Sequence, residues 1–112
     1  MTEDEKNALF SAGVRQALSM VIDPELGENV VDLGLIYAIE VEDGVVRIDM
    51  TTTTRGCPAT NYLKDAVQTA AWSLPGIRSV EVTLTYEPPW TPDMMNEDAR
   101  THLGFAGAKR RA

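Results

Sequence analysis

The chain has 112 residues, 44% apolar and 24% charged, with a formal net charge of −7 and one cysteine. That composition is one ordinary domain able to bury a core, and its acidity excludes the lysine- and arginine-rich surfaces that bind nucleic acid. No run approaches membrane-spanning length, no basic region leads an apolar stretch, and a lone cysteine forms no internal disulfide, so the expectation is a cytoplasmic protein with no membrane association.

Thr2-Glu3-Asp4-Glu5 has the capping-box pattern and opens a first helix, along which Phe10, Val14, Ala17, Leu18 and Val21 recur on one face. Asp23-Pro24-Glu25 ends it, since proline restricts the residue before it; Asp23 is also suited to cap a short new turn. After a loop marked by Gly27 and Asn29, Leu35, Tyr37, Ile39 and Val41 alternate as a strand with Glu40 and Glu42 opposite. Asp43-Gly44 is a strong hairpin signal, and Val46, Ile48 and Met50 face inward on the returning strand. The threonine run Thr51 to Thr54 is expected to extend that strand to Gly56, with Pro58 at the first position of a second helix.

That helix carries Ala59, Leu63, Ala66, Val67, Ala70 and Leu74 on one stripe and ends at Pro75-Gly76. Trp72 falls off the stripe, as an exposed contact residue or as shelter for the neighbouring loop. Val80, Val82, Leu84 and Tyr86 form a third strand. Glu87 to Pro92, with three prolines and Trp90, is a stiff exit segment that serves as a lid on the core or as a recognition segment. Asp93 to Leu103 reads as a short helix ended by Gly104. The Lys109-Arg110-Arg111 end is too short to read as a binding tail. The order helix–strand–strand–helix–strand predicts an α+β two-layer domain with a small three-stranded sheet, helices on one face and charge and threonine on the other. The expected organisation is one domain, with a core over about residues 4–90 and an appendage over about 91–112.

Cys57 is the chemically informative residue. At a strand-to-helix turn its thiol would face unpaired amides and the positive end of a helix dipole, and with Arg55 nearby it is expected to ionise more easily than a free thiol. A thiolate is a nucleophile and a soft metal ligand; the plain alternative is a small buried apolar side chain. Phosphate-binding, dinucleotide-binding, CxxC and HExxH patterns are absent. His102 is far in sequence from Cys57 and reads as a solvated residue near a helix C-terminus. Acids are concentrated early, with ten acids and two bases in residues 1–43, which suits a basic partner or simply a solvated face.

Asp23-Pro24-Glu25, Val31-Asp32-Leu33-Gly34-Leu35-Ile36-Tyr37, the threonine run into Gly56-Cys57-Pro58, and Pro88-Pro89-Trp90 occur in an order and spacing that resembles the SufT-like/PaaD-like metal–sulfur cluster biosynthesis family, over about residues 8–105. The resemblance implies an α+β cytoplasmic protein that assists assembly or insertion of iron–sulfur clusters, with the assembly machinery and client apoproteins as partners. It places the reactive cysteine at Cys57, the acidic element at Asp23 to Glu25, and Thr53, Thr54, Arg55 and Gly56 in the loop beside the thiol. Arg55 stands where many relatives carry proline, and the cysteine-rich C-terminal segment of PaaD-type chains is missing. Asp23 and Glu25 equally suit a purely structural role as a cap and a first-turn acid.

Clusters normally take four thiolates, and one chain offers one. The expectation is a non-enzymatic helper holding a cluster or iron transiently, with ligands shared with a client, small thiols or a second chain in a homodimer, and with Trp72 and Trp90 at contacts. Two rival readings are an accessory protein of a multicomponent ring-hydroxylating oxygenase and a thiol-nucleophile enzyme. A phosphatase-type loop would want arginine six residues after the cysteine, where this chain has Leu63.

Overall fold

The capping box forms as its sequence requires. Thr2 Oγ1 accepts from the Glu5 amide at 3.1 Å and Glu5 Oε1 accepts from the Thr2 amide at 2.9 Å, starting α1 at Glu3–Leu18 in a computed structural model that describes residues 2–104. Val14 and Leu18 on its inner face are fully buried.

β1 (Ile36–Glu42) and β2 (Val45–Met50) form the expected hairpin. Asp43 and Gly44 both adopt positive φ, at 52° and 78°, the backbone that a two-residue turn of this hand requires. α2 (Thr60–Trp72) crosses over to β3 (Ser79–Leu84), which pairs parallel to β2, so the sheet order is β1-β2-β3. Val46, Ile48 and Met50 stand opposite Val80, Val82 and Leu84 on the face that α1 and α2 cover. Leu63, Val67 and Ala71 of α2 meet this layer fully buried. Truncating a side chain such as Leu63 to alanine in such a core costs about 2–5 kcal/mol. The other face exposes Glu40, Arg47, Asp49 and Glu81, the wet face the alternation predicts. No helix among the described residues is long and apolar enough to cross a membrane.

Three expectations are corrected. The alternation of β1 breaks at a bulge between Ile36 and Ala38, so Leu35 and Ile36 are both buried and Tyr37 turns to the exit segment, its hydroxyl donating to the Pro88 carbonyl at 2.7 Å. The threonine run does not continue β2: the strand ends at Met50, and Thr51 keeps one backbone bond, to the Leu35 carbonyl. The terminal helix is divided into a 3₁₀ turn, Pro92–Met94, and α3, Glu97–His102, because Asn96 takes an extended backbone and caps α3 by accepting from the Ala99 amide.

Among the described residues after Trp90, Met95 and Ala99 are buried in the same core. Gly34 lets this segment close on the sheet, since a Cβ there would run into the Met94 carbonyl. The Lys109-Arg110-Arg111 end lies outside the described residues.

Candidate functional site

Two turns meet at the C-terminal end of β2. The first carries Asp23, which is 2% exposed. Its Oδ1 accepts from the amides of Glu25 at 2.7 Å and Leu26 at 3.3 Å, its carbonyl accepts from Gly27, and its own amide donates to the Glu28 carbonyl. The capping role read for Asp23 is therefore what it performs, and it leaves Glu25 on a turn closed by its own hydrogen bonds.

The second turn carries Cys57. Thr51 and Thr52 are buried behind it, and Thr52 Oγ1 donates to the Thr54 carbonyl at 2.7 Å and lies 3.3 Å from the Tyr86 hydroxyl. Gly56 adopts φ 72°. The Cys57 carbonyl accepts from the Thr60 amide at 3.1 Å and the Thr60 hydroxyl at 2.7 Å. Pro58 is thus outside α2, whose N-cap is Ala59 with no side-chain cap bond, and Cys57 sits two residues ahead of the cap.

The side chains of the two turns touch. Cys57 Sγ donates to Glu25 Oε1 at 2.8 Å, and the cysteine is 8% exposed. The expected easy ionisation is corrected by this contact. The Glu25 carboxylate, by accepting the thiol proton bond, pushes the Cys57 thiol above its ordinary range; burial and the charges of Glu25 and Asp23 add to this, against a smaller opposing pull from the Ala59 amide. The helix dipole loses because Cys57 is not at the cap, and because a carboxylate in contact outweighs the half-charge of a helix end. Arg55 does not supply the counter-charge either, since its guanidinium lies over the Tyr86 ring at 4.6 Å from the centroid.

The sequence of residues 11–84 matches the family model described as iron–sulfur cluster assembly protein. This chain belongs to that family. The auxiliary factor SufT for Fe–S protein maturation from Staphylococcus aureus is 48% identical over 88 residues, covering 78% of this chain and all of the relative. The Fe–S protein maturation auxiliary factor YitW of Bacillus subtilis is 44% identical over 90 residues, covering 80% of this chain and 88% of that one. A crystal structure of a domain of unknown function from Bacillus anthracis has a TM-score of 0.86 at 32% identity, covering 90% of this chain and 97% of that one.

In this member of the iron–sulfur cluster assembly family, Glu25 and Cys57 are brought together from 32 residues apart. Thr53 is half-buried and Thr54 exposed in the same loop, where Thr54 contributes its carbonyl rather than its hydroxyl. Thr52 and Tyr86 were missed as site residues. Thr52 lies in a run that reads as strand extension and Tyr86 in the third-strand alternation, and only the fold brings them together. Trp72, off the stripe, is 45% exposed. Trp90, expected as a cover on the core or as a contact, is half-buried: it packs on the core and its indole N–H donates to the Leu33 carbonyl at 2.7 Å. His102 pairs with Glu28 at 2.8 Å, so the partner at the thiol is a carboxylate and not an imidazole.

Among the described residues no three histidine, cysteine or acidic side chains converge to hold a metal ion. One thiol and one adjacent carboxylate do not make the four-ligand set of a resident cluster.

Proposed function

We propose that this protein is a non-enzymatic maturation factor that lends Cys57 as a single ligand to an iron–sulfur cluster in passage to a client apoprotein. The observation that carries the reading is the Cys57–Glu25 contact at 2.8 Å. A thiol must lose its proton to bind metal. In the free protein Glu25 holds Cys57 as S–H, which suppresses its nucleophilicity and its oxidation. As the sulfur takes up a metal bond, Glu25 is in hydrogen-bond reach to receive the proton. One lent ligand binds cargo weakly enough to give it up, which suits transfer. The maturation roles in the names of the relatives support the same reading. Cytoplasmic residence and a two-chain arrangement supplying two thiolates are parts of the proposal.

Anaerobic reconstitution with iron, sulfide and a small thiol tests it. Wild-type protein should acquire a labile cluster absorbance that an apoprotein client removes, and Cys57→Ser should acquire none. Equal loading of the serine variant would remove Cys57 from the cargo path. Turnover of an ester or phosphate ester by the purified protein, lost in Cys57→Ser, would replace the reading by a thiol enzyme.

A further inference from the structure

The sheet face turned away from α1 and α2 carries exposed Glu40, Glu42, Asp49 and Glu81, with Arg47 as the one cation of its strands among the described residues. Arg47 already lies 3.9 Å from Glu81. At the β1 start Pro88 and Met94 of the exit segment border an open cleft of about 690 Å³ on this face. Tyr37, Pro88 and Met94 form its apolar wall, fixed by the Tyr37 hydroxyl on the Pro88 carbonyl. Ala38 and Thr83 give it a shallow floor, and Asp49 and Glu87 supply two carboxylates. Among the described residues neither carboxylate has a hydrogen-bond or ion-pair partner.

We propose that this cleft docks an extended segment of a partner protein through a lysine or arginine side chain. The aliphatic stem lies along Pro88 and Met94, and the charged head reaches Asp49 and Glu87, the division of labour these long side chains favour. The excess of negative charge on the surrounding face draws cationic segments and repels acidic ones. Thr85 lines the cleft, and the next residue, Tyr86, touches Thr52 of the loop that carries Cys57. Only the partner's identity as a cluster donor or client rests on the maturation reading; the charge preference stands without it.

The test is a titration of the nitrogen-labelled full chain, followed by amide shifts, with a blocked pentapeptide of sequence Thr-Val-Lys-Val-Thr and with versions in which norleucine or glutamate replaces the lysine. The lysine peptide should shift the amides of Ala38, Asp49 and Thr83. Asp49→Asn and Glu87→Gln should each weaken it by about fivefold, the upper range for a partly exposed ion pair, and added salt should weaken it further. Cys57→Ser should bind it as the wild type does, so loss of cluster loading in that variant and loss of peptide binding in the carboxylate variants are separate results. Equal binding of the norleucine peptide, unchanged binding by the double carboxylate variant, shifts centred elsewhere, or no binding at millimolar peptide would overturn the proposal. So would the same amides shifting with protein concentration alone, which would assign the face to a second copy of the chain.

Discussion

The turn that carries Glu25 and the turn that carries Cys57 are held by different means. Residues 21 to 30 are closed on themselves: Val30 donates to Val21, Asp23 to Glu28 and Gly27 to Asp23, and the Asp23 carboxylate takes two further amides. Residues 51 to 60 rest on side chains, with the Thr52 and Thr60 hydroxyls bonding backbone carbonyls and a distant tyrosine standing behind them. The acid is set mainly by backbone bonds and the buried Asp23 carboxylate, the thiol mainly by hydroxyls beside one backbone bond, from the Thr60 amide to the Cys57 carbonyl. A fixed carboxylate beside a more yielding thiol suits a site whose sulfur must change partners.

The largest expected effect lies outside both turns, at Gly34, and the two turns themselves are compared by Asp23 and Thr60. Gly34→Ala should cost about 3 kcal/mol or more in urea denaturation, because it combines φ 77° with a collision against the Met94 carbonyl, and unfolding transitions read by tryptophan emission will show it. Asp23→Ala should cost about 2 kcal/mol, the upper range for a lost cap, since its carboxylate is buried and holds two amides. Thr60→Val, on the yielding turn, should cost only about 1 kcal/mol. An equal loss in these last two variants would erase the contrast.

The electrostatic half of the comparison concerns rate and pH rather than fold. Alkylation of Cys57 should have its midpoint above the ordinary thiol value, and Glu25→Gln should lower that midpoint and speed alkylation near neutral pH. The native thiol holds its proton more tightly than the unfolded one. Its stability contribution is therefore complete below the ordinary thiol range and is lost as pH rises through the raised value. Urea midpoints of the wild type should fall relative to Cys57→Ala as pH climbs from about 7 to about 10. The smallest effect belongs to Arg55→Ala, about 0.5 kcal/mol, for an exposed guanidinium on the Tyr86 ring.

Local rules carried most of the fold. The Thr2–Glu5 box, the Asp43-Gly44 turn and the stripe through Leu63 and Val67 each act over a few residues, and each formed where its pattern stands. Reading failed where a distant segment decides the outcome. The bulge at Tyr37 exists because Pro88 and Met94 arrive from more than 50 residues away to engage the hydroxyl. The acidity of Cys57 was misjudged for the same reason: sequence places it near a helix end and beside Arg55, and only the fold brings Glu25 against it. Trp90, for which the sequence leaves cover and contact both open, packs on the core with its indole N–H on the Leu33 carbonyl.

The parallel pairing of β2 with β3 has a consequence for when the site comes into being. Cys57 lies inside the crossover, so closing residues 51 to 78 into a loop must precede that pairing, whereas the β1–β2 hairpin closes locally. Tyr86, which stands behind the thiol loop, follows the last strand to join. The hairpin can form in a nascent chain without it, but the complete thiol loop cannot. The cysteine thus acquires its guarded state only in a finished domain, and a chain stalled before β3 docks exposes an unshielded thiol that a brief alkylation pulse during refolding would mark.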